Sequence, residues 1–336
     1  MQRRFIGIDL HKESFTVAIK NQSGEIKIHT FDFANKSIEK FKELLSPDDY
    51  VAIEVSTSTF YMYDIINPLV KKCVIVHPKK FRIICESTSK TDKKDAKLLA
   101  KYLSYEDLLP EVYVPDHNIR KLRTLFSMYN LNNKQITQIK NRIHSILLQN
   151  GIPLSKNIIR CKKYRNAIFN LEIDNLYIDL IKHLFKKMDL LLEEKEYLTY
   201  KILSLGEKYK KDINILTSLS GISVLIALAL ISDIADIKRF KNPNKLASYL
   251  GVVPKVDNTG NTIHNGRIHK DSRKNTRTLL TQVVKHLYNN SPELKDFYIR
   301  KRKAKGAGKA RIALIRKIIF FIFWMISKNK YSYYRV

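Results

Sequence analysis

Residues 5–19 read FIGIDLHKESFTVAI, and the predicted fold of the first third of the chain starts from these residues. Its first half is a run of apolar residues that ends at Asp9, which predicts a buried strand. Residues 14–19 follow after a short polar break and predict the antiparallel partner of that strand. We therefore expect a β-hairpin here, with a carboxylate where its first strand closes.

Further segments extend this hairpin into a sheet with helices. Residues 26–33 alternate as a third strand, and apolar strands are predicted at 50–55 and 73–76. Short helices are predicted at 37–45 and 61–70. Hairpin strands followed by strands that alternate with helices predict a mixed sheet, with function at the strand ends.

Four carboxylates stand at special places in this pattern. Asp9 closes a strand and Glu54 lies within one, and a charge in an apolar strand needs a partner or a metal, unless water at a sheet edge solvates it. Asp92 and Asp95 lie three residues apart at the start of an amphipathic helix, so both can point at one place. The alternative is a helix capped by Thr91, with acids that merely suit its dipole. Together, the four acids predict an oxygen site for Mg²⁺ or Mn²⁺.

Positive charge dominates the composition. The chain has 61 lysines and arginines against 32 acidic residues, a net charge of +29. This excess favours a polyanionic partner and an extensive surface for nucleic acid. The strongest apolar run, at 318–326, is too short to span a bilayer, so a membrane partner is not expected. The three cysteines show neither metal-ligand spacing nor a disulfide framework, and no signal-peptide pattern is present, which predicts a reducing, cytoplasmic location.

Residues 118–205 are predicted to be helical, with a break at 150–153, where the sequence is NGIP. Apolar residues recur there about every 3.5 residues, which predicts two long helices in a coiled-coil-like arm. The stripe is either a dimer or tetramer contact or the inside of an internal helical hairpin. We favour the contact between subunits, because the stripe is long and no other segment of the sequence evidently covers it.

The C-terminal third is rich in basic residues. Residues 215–224, ILTSLSGISV, suggest either a helix-hairpin-helix element that meets a phosphate or an ordinary turn. Residues 300–309 form a basic stretch with glycines, which predicts a loop. Basic side chains of this kind bind nucleic acid through its phosphates, although a solvated surface is the alternative. The candidate nucleic-acid ligands are Lys255, Arg267, Lys270, Arg273, Lys274, Arg277, Arg300, Lys301 and Arg302.

The order of these motifs resembles that of the DEDD transposases, insertion-sequence recombinases that include the Piv-type DNA invertases. The matching stretches are GIDLHKESFTVAI at 7–19, IEVSTSTF at 53–60, and VIVHPKKFRIICESTSKTD at 74–92, which runs into KKDAKLLAKYL at 93–103. Residues 234–280 are similar to the C-terminal transposase domain of the same family. One departure is a Ser-Thr-Ser-Thr turn after the glutamate, where the family often has glycines.

The resemblance implies roles for individual residues. The family holds divalent metal, Mg²⁺ or Mn²⁺, with four carboxylates, which here are Asp9, Glu54, Asp92 and Asp95. The family also uses a nucleophilic serine, and Thr259 occupies that position in this chain. A threonine hydroxyl can attack phosphorus, although its methyl group crowds the approach. Ser272 is the second candidate, and Thr259 as a plain turn residue is the alternative.

The implied architecture is α/β plus α, in three parts. We expect a RuvC-like (RNase H-type) mixed-sheet catalytic domain at 1–114, a helical coiled-coil arm at 115–210, and a small, mostly helical transposase domain at 211–336. The acids and Thr259 would then lie in different domains, so docking must assemble the complete site. The family also implies donor and target DNA, a structured guide RNA, a homodimer or homotetramer, and a nucleoid-associated location in a bacterium or archaeon.

Other classes of protein fit parts of this pattern. A junction resolvase or RNase H-like nuclease would use the same acids with water and would not need Thr259. An actin-like or sugar-kinase ATPase also begins with a strand, Gly-Ile-Asp and a hairpin, but it requires glycine-rich nucleotide loops, and the chain has only 10 glycines. A non-catalytic nucleic-acid-binding protein would explain the charge but not the four placed acids.

Overall fold

The structure is a computed structural model that describes residues 3–78, 81, 91–105, 108–155, 158–159, 161–259, 262–268 and 274–330. At 254–259, 262–268, 274–275 and 285 it describes the backbone alone. The chain divides into two compact units, Met1–Val114 and Pro115–Val336.

The N-terminal unit is a six-stranded mixed sheet with helices on both faces. Its elements are β1 (Phe5–Leu10), β2 (Ser14–Lys20), β3 (Ile26–Asp32), α1 (Asn35–Glu43), β4 (Tyr50–Glu54), α2 (Thr59–Ile66), β5 (Lys72–Val76), α3 (Asp92–Leu103) and β6 (Glu111–Val112). The strand order is β3-β2-β1-β4-β5-β6. Strands β1, β4 and β5 are parallel, whereas β2, β3 and β6 run antiparallel to their neighbours. The predicted mixed sheet and its opening hairpin are confirmed.

Strand alternation gives the sheet two different faces. One face carries large apolar side chains, among them Ile6, Ile8 and Val17, which pack with Phe41 of α1 and Met62 of α2. The other face carries small residues. Gly7 of β1 pairs with Ala18 of β2 on one side and with Ala52 of β4 on the other. This small-residue row leaves room for a helix to lie directly on the strands.

The C-terminal unit contains most of the helices. Its elements are α4 (His117–Gln149), α5 (Arg165–Phe169), α6 (Asn175–Gly206), α7 (Lys210–Thr217), α8 (Val224–Ile234), α9 (Pro243–Tyr249), β7 (Pro254–Thr259), β8 (Thr262–Ile268), α10 (Lys274–Asn289) and α11 (Pro292–Lys328). Strands β7 and β8 form an antiparallel hairpin.

Helices α4 and α6, of 33 and 32 residues, pack against each other along much of their length. Ile139 and Ile143 of α4 share a core with Ile181, Phe185 and Met188 of α6. The apolar stripe is therefore covered by an internal helical hairpin and not by the predicted contact between subunits. The sequence pattern is the same in both cases, because an apolar repeat of about 3.5 residues can pack against a helix of the same chain or of another chain.

The remaining helices enclose a second apolar core. Leu228 of α8 and Leu280 of α10 pack in it with Ile318 and Ile322 of α11. The apolar run at 318–326 thus belongs to a core helix. Across the described residues, each helix is too short or too polar to cross a membrane.

The basic stretch at 300–309 is helical, which corrects the predicted loop. It lies within α11, whose backbone leaves helical geometry at Gly306, with φ 80° and ψ 164°. Lysine, arginine and alanine are good helix formers, so the segments on either side of the glycine stay helical. Gly306 provides a kink because glycine adopts a positive φ without a steric penalty.

Candidate active site at the sheet edge

Asp9 is the most buried acid of the candidate site, with a side chain that is 13% exposed. It lies on β1 opposite Thr16 of β2, on the same face as Gly7, two residues earlier. Burial raises the pKa of Asp9, because the charged form loses water. The charge of His11 opposes this rise, whereas the charges of Asp95 and Asp92 increase it. The carboxylates of Asp9, Asp92 and Asp95 are therefore close enough for their charges to interact.

Gly7 determines where α3 lies. A Cβ atom at Gly7 would stand 2.1 Å from the carbonyl oxygen of Ala96 and 2.5 Å from the backbone nitrogen of Ala100. Ala96 and Ala100 are fully buried, and they pack together with Ala18 of β2. The helix and the strand are therefore in contact through their backbones, with no side chain between them.

This contact directs the two acids of α3 toward β1. Asp92 precedes Ala96 by one helical turn, and Asp95 precedes Leu99 by one turn, so both lie on the face that packs on the sheet. The Asp92 side chain is 60% exposed. Thr91 has extended backbone geometry at the N-cap, but among the described residues its side chain makes no capping hydrogen bond. The helix start is held instead by the Thr91 carbonyl, which accepts from the Asp95 amide at 3.0 Å.

Glu54 is the last residue of β4. Strands β1 and β4 are parallel, and Ile8 pairs with Ile53, so Glu54 follows at the level of Asp9. The Thr59 hydroxyl fixes the exit from the strand, since it donates to the Glu54 carbonyl at 3.0 Å and accepts from the Ser56 amide at 2.6 Å. The Ser-Thr-Ser-Thr turn is thus closed by its own side chains.

His11 completes the site and was missed from the sequence. Its Nε2 lies 3.1 Å from Oδ2 of Asp9 and 3.1 Å from Oδ1 of Asp92. Residues two apart on a strand face the same side, but His11 comes two residues after Asp9 and just past the end of β1, so this spacing is only a weak signal. The ligands predicted from the sequence were carboxylates alone, so His11 was not among them.

Ligand atoms from Asp9, His11 and Asp92 all lie within 4.8 Å of one another. Glu54 and Asp95, though described, fall outside this three-residue group. Two carboxylates and an imidazole form a donor set that suits a divalent cation. The set runs from buried Asp9 to exposed Asp92, so an ion bound there would be reachable from solvent.

The predicted nucleophile lies in the C-terminal unit. Thr259 is the last residue of β7 and pairs with Thr262 of β8. Only its backbone is described, and Ser272, the second candidate, lies outside the described residues.

The predicted nucleic-acid ligands fall in three places. Lys255 and Arg267 lie on the strands of the β7–β8 hairpin, and Lys274 begins α10. Lys270 and Arg273 lie outside the described residues. Further predicted ligands have described side chains: Arg277, Arg300, Lys301 and Arg302.

These four side chains differ in their surroundings. Arg277 donates to the Gly251 carbonyl at 3.2 Å, so it also supports the loop before the hairpin. Arg300 and Arg302 are exposed on α11. Lys301 is partly buried and stands 5.7 Å over the ring of Phe297.

A buried polar link in the same unit was also missed. The Thr276 hydroxyl, on α10, donates to the Asp233 carboxylate at the end of α8, and both residues are buried. Arg123 donates to the Ser232 carbonyl at 2.8 Å, and Arg239 donates to the Ile234 carbonyl at 3.0 Å. Their partners are distant in sequence or local to a helix end, so no periodic pattern predicts them.

Two family models match this chain. The IS110-type DEDD model, described as a transposase, matches residues 6–151. The model described as the transposase IS116/IS110/IS902 family matches residues 213–299. Both models describe transposases, and together they span most of the chain, including β1 with Asp9 and the β7–β8 hairpin.

Similar proteins extend the comparison along the chain. A Sinorhizobium fredii protein, y4qE, whose name is that of a transposase, is 22% identical over 83% of this chain and 70% of its own. The transposase for insertion sequence element IS1328 of Yersinia enterocolitica is 22% identical over 83% of this chain and 82% of its own. The pilin gene-inverting protein of Moraxella lacunata is 23% identical over 98% of both chains.

Proposed function

Because this chain belongs to the IS110 family of DEDD transposases and is therefore a DNA transposase, we propose that it cuts and rejoins DNA with a metal-binding carboxylate site and the hydroxyl of Thr259. In this proposal residues 1–114 are a RuvC-like catalytic domain, residues 115–210 are the arm, and residues 211–336 are the transposase domain. The metal is held by the four family acids, Asp9, Glu54, Asp92 and Asp95.

One observation carries the proposal. One nitrogen of His11 lies 3.1 Å from an oxygen of Asp9 and 3.1 Å from an oxygen of Asp92. Asp9 belongs to β1 and Asp92 to α3, two elements that are far apart in the sequence. Asp9 is buried there although burial disfavours its charge. Carboxylates that lie close together, one of them buried despite the cost of desolvating its charge, are typical of sites that bind a cation. A divalent ion bound at this place would stabilise negative charge on a phosphate and help a hydroxyl to lose its proton.

The residues divide the work by their exposure. Asp9, nearly buried and fixed on β1, anchors the inner side of the site. Asp92, with its side chain 60% exposed, is the acid that a DNA phosphate would meet first. The turn closed by Thr59 holds the backbone of Glu54 in place. Preorganised charge of this kind lowers the barrier without rearrangement during the reaction.

Strand exchange then needs two displacements at phosphorus. The Thr259 oxygen forms a bond to a DNA phosphate while a phosphodiester bond breaks, and the leaving DNA oxygen takes up a proton. A hydroxyl of a second strand next attacks the same phosphorus, and Thr259 leaves with its proton restored. No water is consumed, so the number of phosphodiester bonds is unchanged.

The nucleic-acid partners in this proposal are donor DNA, target DNA and a structured guide RNA. The net charge of +29 supports binding of polyanions on this scale. Arg300 and Arg302 are exposed on α11 and available to phosphates. Lys255, Arg267 and Lys274 flank the Thr259 segment in sequence, where contacts to the DNA backbone would position the reacting phosphate.

Assembly into a homodimer or homotetramer is also part of the proposal, in the cytoplasm and on the nucleoid. Its support is the outer side of α6, where Leu176, Leu190 and Tyr197 are exposed by 63%, 60% and 59%. These positions are 14 and 7 residues apart, so they share one side of the helix, away from the seam with α4. A second copy would cover this apolar surface.

The test is strand cleavage and joining on supercoiled donor and target plasmids. Purified protein would be mixed with Mg²⁺ and RNA transcribed from DNA that flanks the gene, and a covalent protein–DNA adduct is the readout. We expect the wild type to form it and Asp92→Asn and Thr259→Ala to lose it. The matched controls are Asp179→Asn, an exposed acid of α6, and Thr262→Ala, across the hairpin from Thr259; both should form the adduct.

The runner-up is a metal-dependent nuclease that uses water. It predicts that Thr259→Ala still cuts DNA while Asp92→Asn does not. That pair of results would remove Thr259 from the mechanism and leave the carboxylate site standing. A non-catalytic nucleic-acid-binding relative predicts the third pattern, in which wild type and Asp92→Asn bind DNA equally and neither cuts it.

A further inference from the structure

We infer that His11 is a nitrogen ligand of the divalent ion at this site and makes the site favour Mn²⁺ over Mg²⁺. The inference rests on the proposed function, which supplies the metal, and adds a ligand that the four-acid motif does not contain. It concerns this chain's own residue and can be tested without the transposition reaction.

The distances support a shared ion. His11 Nε2 lies 3.1 Å from Asp9 Oδ2 and 3.1 Å from Asp92 Oδ1. In an octahedral site with ligands at about 2.1 Å, neighbouring ligand atoms are about 3 Å apart. The Nε2 atom carries at most one proton, so at most one of the two contacts is a linear hydrogen bond. An ion between the three atoms accounts for both contacts equally.

The surroundings of His11 fit this role. Its backbone amide donates to the Ser14 carbonyl at 2.9 Å, so the hairpin turn fixes the position from which the ring projects. Its side chain is 39% exposed, so the ring is not a core-packing residue. Its contacts instead lead to two acids that come from different elements, β1 and α3.

The chemistry explains why the ion preference should change. Mg²⁺ is held almost entirely by oxygen and demands near-ideal octahedral geometry. Imidazole nitrogen is typical of transition-metal sites. A site of carboxylates alone would accept both ions, whereas one nitrogen among them should strengthen Mn²⁺ binding more than Mg²⁺ binding.

The experiment uses electron paramagnetic resonance of Mn²⁺ bound to the full-length protein without nucleic acid. Pulsed spectra report a nitrogen coupled to the ion, and titrations with Mn²⁺, alone and in competition with Mg²⁺, give the two affinities. The variant is His11→Gln, whose amide can still donate a hydrogen bond to either acid. The matched control is His29→Gln, on β3 opposite Val17 and so on the other face of the sheet.

We expect a nitrogen coupling in the wild type and in His29→Gln, and its loss in His11→Gln. The Mn²⁺ affinity of His11→Gln should fall about tenfold or more, with Mg²⁺ affinity little changed. Bound Mn²⁺ without a nitrogen coupling in the wild type would overturn the role of His11 and leave the carboxylate site intact. Mn²⁺ binding that is absent, or that is unaffected by Asp92→Asn, would overturn both the inference and the proposed metal site.

Discussion

The substitution Gly7→Ala tests whether the backbone contact between β1 and α3 builds the metal site. The new Cβ would stand 2.1 Å from the Ala96 carbonyl oxygen, 2.5 Å from the Ala100 nitrogen and 2.8 Å from Leu99 Cβ. Favourable contacts between such atoms are about 3.5 Å long. The helix must therefore withdraw by about 1 Å or more, because two of the three atoms belong to its backbone.

Two effects follow from that withdrawal. Overpacking of this kind costs about 1–3 kcal/mol of folding free energy, and occasionally more. Asp92 and Asp95 move with the helix, whereas Asp9 on β1 and His11 directly after β1 do not, so the ligand atoms separate. A misplacement of about 1 Å at a reacting centre can lower the rate about 100-fold. In Gly7→Ala we expect weaker Mn²⁺ binding and a loss of strand-joining rate of about 100-fold.

The matched control is Gly24→Ala in the turn between β2 and β3. Gly24 has a φ of +88°, so alanine strains the backbone there, but its Cβ meets nothing within 4 Å. This control should lose about 1–2 kcal/mol of stability and keep its Mn²⁺ affinity. Calorimetric melting and Mn²⁺ titration would compare the two variants. If Gly7→Ala bound Mn²⁺ and joined strands like the wild type, the idea that this contact sets the site would be wrong.

Three further predictions concern stability, pH and nucleic acid. Arg4 donates to both oxygens of the fully buried Asp49 carboxylate, at 2.8 and 2.7 Å. Arg4→Met should therefore lower the unfolding free energy of the N-terminal unit by about 3–5 kcal/mol, and an unchanged urea midpoint would refute this. Burial raises the pKa of Asp212, so its contribution to stability falls as pH rises from the ordinary carboxyl range through that raised pKa. Asp212→Asn should stabilise the protein at pH 7 and not at acidic pH, where the carboxyl is protonated in both states; equal melting shifts at both pH values would count against it. Arg302→Ala should weaken DNA or RNA binding at low salt and reduce the salt slope by about 1, as measured by fluorescence anisotropy, and an unchanged slope would show that Arg302 meets no phosphate.

The N-terminal sheet was predictable because its strands show either a two-residue alternation or a short apolar run. The alternation at 26–32 carries that period, the runs at 5–10 and 50–54 are short apolar segments typical of buried strands, and the structure has strands at all three places. The two-residue strand β6 was missed, since a pair of residues carries no period. The break between α4 and α6 was foreseen from Asn150, Gly151 and Pro153, which are typical of a helix end.

The candidate site was predictable in part, because the sequence shows which residues are charged but not which of them meet. Asp9 and Asp92 could be proposed from their places at a strand end and a helix start. His11 was missed because a histidine after a strand has many ordinary roles, and only the distances to two acids single it out. The prediction that another subunit covers the long apolar stripe was wrong. The periodicity of α4 shows which of its residues are buried, but it does not show whether the covering helix belongs to the same chain or to another.

The paired helices α4 and α6 also constrain how this chain can change in length. Their shared core is a series of matched positions, such as Ile139 and Ile143 with Phe185 and Met188. Deleting one residue from α4 would rotate every later side chain by about 100° and carry the buried ones out of the seam. Removing seven residues from one helix takes out about two turns, so the buried side chains still face the seam, but they shift by about 10 Å along the other helix. The arm can therefore lengthen or shorten only by matched changes in both helices. Insertions and deletions in related sequences should accordingly occur in pairs, one in α4 and one in α6.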